Sequence, residues 1–204
     1  MADTPITIPA NLLPADGRFG SGPSKVRDQQ LDYINQHSKL LGTSHRQKPI
    51  KNIVAGIQEK MATLFALPSN YEVLLTNGGA SLMWDAASFS VIKNKSAHGV
   101  YGEFSSRFAA ISKKAPHLQD PLIVEADPGS ASYLTEVQDV DTYCLTHNET
   151  STGVMITPYR VGSGKSVVMV DATSGAGSVA VDPSTYDMYY FSPQKCFGAE
   201  GGIV

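Results

Sequence analysis

The chain has 204 residues, 42% of them hydrophobic and 17% charged, with a net charge of −3. That balance suits a globular domain with a real core, and the absence of a dense Lys/Arg block argues against a nucleic acid or an anionic membrane as partner. Two distant cysteines, Cys144 and Cys196, lack CxxC spacing, so neither a metal site nor a disulfide framework is expected, and no apolar run approaches the roughly 18 residues of a membrane span.

The opening segment MADTPITIPANLLPADGRFG has no basic region followed by an apolar run. It reads as a short irregular arm rather than a signal peptide, and a reducing, cytoplasmic setting fits. Residues 25–41 carry a loose helical stripe of Val26, Leu31, Ile34, Leu40 and Leu41. A stronger stripe follows over residues 50–66, with Ile53, Val54, Ile57, Met61, Leu64 and Phe65 on one face. YEVLLT (71–76) predicts a short strand stopped by NGG, and a helix is expected from Ser81 to Ile92. HGVYG predicts a strand and FSSRFAAISKKA a helix. PLIVEA (121–126), DTYCLTHN (141–148), SVVMVDAT (166–173) and YDMYYFS (186–192) are apolar strand candidates, and the terminal GGIV reads as the start of another. Strands apolar throughout, with helices between them, point to a mainly parallel sheet covered on both faces, a three-layer α/β/α fold. Ligands bind such sheets beyond the carboxyl ends of the strands, so the residues just after each strand matter most.

After YEVLLT comes NGGAS, where glycines let backbone N–H groups approach an anion at a helix start. Gly79 is the glycine expected to need that freedom. A plain strand-to-helix turn is the competing reading. After SVVMV comes Asp171, able to hold a metal, orient a base or pair with a ring nitrogen, although an isolated aspartate more often caps a turn. After DMYYF comes Lys195, crowded by Gly198, Gly201 and Gly202; most lysines there are solvated, but a lysine can also do covalent chemistry. GSGKS (162–166) resembles the end of a P-loop, yet the first glycine of that pattern is replaced by Tyr159 and the segment precedes a strand, so it reads as a surface turn with Lys165 solvated. A phosphate cradle, an aspartate and a lysine at three strand ends are together what pyridoxal 5′-phosphate needs: donors for its phosphate, an acid for its pyridine nitrogen and an amine for its aldehyde.

The segments FGSGPSKVR, GTSHRQ, TNGGAS, YGEFS, HNETSTGV, VDATSGAG and SPQKCFG run through nearly the whole chain in the order seen in one family. On them the chain resembles the phosphoserine aminotransferases, fold-type I pyridoxal-phosphate enzymes, and most of all their actinobacterial branch. The resemblance implies the large domain of the aspartate aminotransferase-like fold, incomplete here, with residues 1–204 spanning an N-terminal arm and most of the cofactor domain and the C-terminal small domain lying outside the chain. It implies Lys195 as the Schiff-base lysine and catalytic residue. Ala80, Ser81 and Gln194 fall on phosphate contacts, Asp171 on the pyridinium partner and Thr150 on a cofactor hydrogen-bonder. Phe104 falls where many relatives stack a tryptophan on the ring; it can stack but has no indole N–H. Ser21, His45 and Arg46 fall on substrate contacts, and a guanidinium fork at Arg46 suits both carboxylate and phosphate. No metal is implied. His37, His98, His117 and His147 read as structural, and Cys196 as a small packed side chain.

The implied reaction is reversible amino transfer from L-glutamate to 3-phosphohydroxypyruvate by a homodimer, for serine synthesis and, in this branch, for a similar step in pyridoxal-phosphate synthesis. Two alternatives stay open. One is another fold-type I enzyme such as a cysteine desulfurase, although those usually carry histidine where this chain has Gln194. The other is an inactive cofactor-binding or dimerisation fragment.

Overall fold

The computed structural model describes residues 6–18 and 20–204; residues 1–5 of the expected arm and Phe19 of the FGSGPSKVR segment lie outside them. Among the described residues, four α-helices, α1 (Asp28–Gln36), α2 (Lys48–Leu64), α3 (Leu82–Ala86) and α4 (Glu103–Lys114), accompany the strands β1 (Ser96–Val100), β2 (Leu122–Glu125), β3 (Thr142–Thr146), β4 (Asn148–Glu149), β5 (Val154–Met155), β6 (Val167–Asp171) and β7 (Met188–Tyr190). Five strands form one sheet in the order β2-β1-β3-β6-β7, and every neighbouring pair is parallel. β4 and β5 form a separate antiparallel hairpin that the sequence pattern did not reveal.

β1 and β3 are buried at every position, which is why they read as apolar runs rather than alternating ones. Their side chains still alternate between faces. Tyr143, Leu145, Val168 and Val170 enter one core with Tyr101, Leu134 and Tyr186. Cys144 and Met169 enter the other, with Trp84 of α3 and Phe108 of α4. The mainly parallel sheet with helices against it is the expected fold class. Its first face is covered by irregular segments and by Phe65, just past α2. No helix among the described residues is long and apolar enough to cross a membrane.

Four expectations are corrected. Residues 71–76 are extended but join no strand of the main sheet: Gln58 of α2 donates to the Val73 carbonyl (2.8 Å), and Thr76 exchanges both backbone bonds with Val204 (2.8 and 3.0 Å). Of the terminal GGIV, only Ile203 forms an isolated antiparallel bridge, to Asn77. Strand propensity made the segment extended; pairing is non-local and went elsewhere. The helix expected over 81–92 is α-helical only in α3 and widens to a π-helix over Ala87–Val91, where the Ser88 and Ser90 hydroxyls bond back to the carbonyls four residues earlier. The helix expected over 25–41 stops at Gln36 and is followed by a 3-10 turn, Ser38–Leu40. The apolar stripes of α1 and α2 are largely exposed in this chain: Leu31, Ile34, Ile53, Val54 and Leu64 are 38–58% exposed.

Candidate active site

From β1 the chain steps outward to β2, then returns across β1 to β3 and continues through β6 to β7. The direction reverses between β1 and β3, and at such a switch the loops leaving the strands part and open a crevice. A cavity of about 220 Å³ lies there. Phe104 reaches it after β1, Thr146, Asn148 and Thr150 at the end of β3, and Asp171 with Thr173 and Ser174 at the end of β6. Gln194 and Lys195 follow β7, and Gly79, Ala80, Ser81 and Trp84 close the cavity from the start of α3. The structure therefore brings together Ala80, Ser81, Phe104, Thr150, Asp171, Gln194 and Lys195, which lie on five separate segments of the sequence.

Asp171 is 5% exposed. Its Oδ1 accepts from the Thr173 N–H (3.0 Å) and hydroxyl (2.6 Å), and its Oδ2 accepts from the Trp84 indole N–H (2.9 Å). Opposite it, the half-buried Lys195 donates from Nζ to the Ser21 carbonyl (2.9 Å), and the Ser24 N–H donates to the Gln194 carbonyl (2.7 Å). Residues 21–24 thus lie over the lysine turn. Gly22 makes this approach possible: its φ is +127°, and a Cβ there would stand 2.5 Å from Lys195 Nζ. Ser21 meets the lysine through its carbonyl, and the residue is otherwise exposed. Thr150 donates to Ser174 Oγ (2.9 Å), which also takes the Asn148 amide (2.9 Å).

At the cradle, the constrained glycine is Gly78, not Gly79. Gly78 has φ +110°, and a Cβ on it would come within 2.8 Å of Leu82 Cδ2, whereas a Cβ on Gly79 would meet only Ser192 Oγ at 4.0 Å. Gly78→Ala is therefore expected to destabilise the fold by about 1–3 kcal/mol, the usual cost of a side chain forced into a sparsely populated backbone region. Gly79→Ala should cost less. Denaturant titration of the two variants checks the order, and equal midpoints would show that the turn relaxes freely.

Beside Thr146, Asn148, Thr173 and Ser174 in the lining, two further residues that shape the site escaped the sequence. Glu149, fully buried, accepts from Ser105 N–H (2.9 Å), Ser105 Oγ (2.8 Å) and Ser151 Oγ (2.8 Å), with a longer bond from Phe104 N–H (3.3 Å). It binds the turn carrying Thr150 to the helix start carrying Phe104. The available signal was an acidic residue at the end of an apolar strand, where an unpaired charge is costly. Trp84 is the second; as the chain's one tryptophan at a buried helical position, it needs a partner for its N–H.

His45 and Arg46 do not line this cavity. They sit on an exposed turn before α2, where the Arg46 N–H bonds Ser44 Oγ (3.3 Å). His98 is buried beside Ser96 Oγ (3.0 Å), and burial holds its pKa down at about 3, so it stays neutral and structural. GSGKS is a turn ahead of β6 with Lys165 exposed. Cys196 is exposed next to Lys195.

The chain is similar to known proteins along its whole length. The aminotransferase class-V family model matches residues 125–204. A phosphoserine aminotransferase of Rhodococcus opacus (strain B4) is 53% identical over 205 residues, covering 100% of this chain and 55% of that protein. One of Corynebacterium glutamicum (strain R) is 50% identical over 205 residues, covering 100% and 54%. The chain thus spans about half the length of the curated relatives it matches. A crystal structure of a phosphoserine aminotransferase from Cytophaga hutchinsonii superposes with a TM-score of 0.83 at 31% identity, over 90% of this chain and 53% of that one. A pyridoxal-phosphate-bound phosphoserine aminotransferase from Trichomonas vaginalis shares the fold, with a TM-score of 0.78 at 20% identity over 91% of this chain and 59% of that one.

Proposed function

Because the chain is a homologue of phosphoserine aminotransferases along its whole length, we propose that it carries the cofactor-binding part of a pyridoxal-phosphate-dependent phosphoserine transaminase. The reaction moves the amino group of L-glutamate to 3-phosphohydroxypyruvate, giving 2-oxoglutarate and O-phospho-L-serine. The observation that carries this reading is the convergence of buried Asp171, Lys195 and the Gly79–Ser81 turn in one crevice at the strand switch. Other features fit the same cofactor. Ser192 Oγ behind the cradle is buried without a protein partner and can donate to a phosphate; Gln194 Oε1 is buried unpaired too, and the amide turned end for end would offer Nε2 to that anion.

Bound pyridoxal phosphate supplies an aldehyde that takes up amines and a ring that accepts electrons. The protein does the rest. Gly79–Ser81 and Gln194 would hold the phosphate, and Phe104 would lie against the ring. Thr150, whose hydroxyl donates to Ser174, would present its oxygen to the cofactor. Asp171 would hold the ring nitrogen protonated, so that the ring can accept negative charge. Lys195 would anchor the cofactor through its amine and, once the incoming substrate amine has displaced it, would move a proton at the substrate α-carbon. The Ser21 carbonyl and the Gly22 backbone restrict where its amine can point.

The cavity of about 220 Å³ is smaller than the ~300–1,000 Å³ of complete ligand sites, which supports completion of its walls by more protein. A second copy of the chain is the partner this reading requires. The uncovered apolar stripes of α1 and α2 supply a surface for it, and this reading assigns His45 and Arg46, exposed and outside their own cavity, to the other copy's substrate. The cytoplasm is the proposed setting, as two unpaired cysteines suit.

The test uses the complete protein, pyridoxal phosphate, glutamate and phosphohydroxypyruvate, and reads phosphoserine. Absence of product sinks the assignment; sulfide from cysteine would redirect it to desulfurase chemistry. Shared sites give a further prediction. Mixing inactive Lys195→Ala and Arg46→Ala proteins should restore activity to about a quarter of the parent value, because half the dimers are mixed and each of those has one intact site. A mixture as inactive as its parts would place Arg46 in its own chain's site.

A further inference from the structure

We propose that Trp84 is a positioning residue of the active site, whose indole N–H aims the remaining lone pair of Asp171 at the cofactor's ring nitrogen. The inference rests on the function proposed above. An ionised carboxylate offers about four acceptor sites, two on each oxygen. Thr173 occupies both on Oδ1, through its N–H at 3.0 Å and its hydroxyl at 2.6 Å. Trp84 Nε1 takes one on Oδ2 at 2.9 Å. The acceptor left over is on Oδ2, the same oxygen that the indole holds. A carboxylate is one rigid plane, so the Thr173 turn fixes it at Oδ1 and Trp84 at Oδ2, and the direction of the remaining lone pair depends on the indole bond as well as on the turn.

The neighbouring strand brings one further hydroxyl to the carboxylate. Tyr190 pairs with Asp171 in the β6–β7 register, and its buried hydroxyl lies close enough to Asp171 and Trp84 to interact with both, yet it forms no hydrogen bond of normal geometry. Burial first, and the Asp171 charge second, push that hydroxyl's pKa well up, so it stays protonated and neutral beside the carboxylate. Trp84 itself is held firmly. It is 7% exposed and stacks on Phe108 of α4 at 6.0 Å and 15°. It also lies in α3, which starts directly after Gly79–Ser81. One rigid side chain thus spans the two ends of the site, linking the phosphate turn to the group that meets the ring nitrogen. A shift of either end relative to the other must pass through the indole–carboxylate bond.

The variant that isolates this bond is Trp84→Phe, with replacement of Trp84 by 3-benzothienylalanine as a second form that keeps the bicyclic volume and lacks only the N–H. In the complete protein loaded with pyridoxal phosphate, kcat should fall about tenfold, as expected for loss of a hydrogen bond to a charged group. KM for glutamate and phosphohydroxypyruvate should stay within about twofold, since no substrate contact is touched. The pH midpoint of the cofactor's visible absorption band should move, because a carboxylate short of a donor holds the shared proton more tightly. In an Asp171→Asn background the same change should have no further effect on kcat. Phe108→Leu, which loosens the stack and keeps the bond, should lower stability without moving the band.

A folded Trp84 variant with normal kcat and an unmoved band overturns the proposal. So does a loss that persists undiminished in the Asp171→Asn background, which would make Trp84 a packing residue acting on its own. A parent protein that takes up no pyridoxal phosphate overturns the proposed function and this inference together; a parent that binds normally while the Trp84 variants stay silent overturns this inference alone.

Discussion

Lys195→Ala in the complete protein is expected to lower amino transfer by about 1,000-fold or more, within and above the 10²–10⁴ range typical of one positioned acid–base group. The loss has two sources. The variant has no amine with which to hold the cofactor, and no base for the substrate α-carbon. In the proposed function both duties fall on one atom, Nζ, which the fold presents on the turn after β7 and steadies against the Ser21 carbonyl at 2.9 Å. Among the cavity-lining residues, no other side chain carries an amine, so no neighbour substitutes. Two measurements separate the duties. The visible absorption band of the loaded parent should be absent from the variant. Added methylamine should recover part of the proton transfer, with the cofactor held by its phosphate and ring contacts alone. Lys195→Arg should not rescue, since it keeps the charge and loses the nucleophile. A variant that retains both band and turnover would remove Lys195 from the site.

Glu149→Ala should destabilise the fold by about 2–6 kcal/mol, because two buried backbone or hydroxyl donors left unpaired cost about 1–3 kcal/mol each. Glu149 is fully buried and takes the Ser105 N–H at 2.9 Å and the Ser105 hydroxyl at 2.8 Å, which places a carboxylate at the start of α4. There the helix dipole favours a negative charge, so the group does for α4 what a capping side chain does elsewhere. The site is shaped around it: a Cβ on Gly102 would stand 2.3 Å from Glu149 Cγ. Glu149→Gln should cost less than Glu149→Ala but more than a surface change, because its NH₂ must face donors. Denaturant unfolding of the three proteins gives the order directly. The consequence for the site is specific. Phe104 and Thr150 flank this carboxylate on two segments, and loosening it should weaken cofactor affinity even at temperatures where the fold survives. Unaltered stability in Glu149→Ala would mean that water refills the position.

The sequence by itself determined most of the parallel sheet and which chemistry-bearing residues stand at its strand ends. β3 and β6 had to be apolar at nearly every position because both faces are covered, and that pattern is local enough to read. Asp171 and Lys195 stood out because each sits just past such a run, where a parallel sheet presents its residues to a ligand. What only the tertiary structure decided is who partners whom. Trp84 meets Asp171 across 87 positions of chain, and Glu149 meets Ser105 across 44, and no periodicity encodes those separations. Residues 71–76 had the composition of a strand, yet composition sets backbone conformation and not the neighbour that receives its hydrogen bonds, which proved to be a glutamine of α2 and the tail at Val204. Gly78 took the left-handed backbone that Gly79 had been expected to need, because Leu82 folds back over it in the finished turn. His45 and Arg46 matched a substrate motif in sequence and still lie outside the cavity, since a motif specifies a side chain's chemistry while the packing of the elements around it decides which site that side chain can reach.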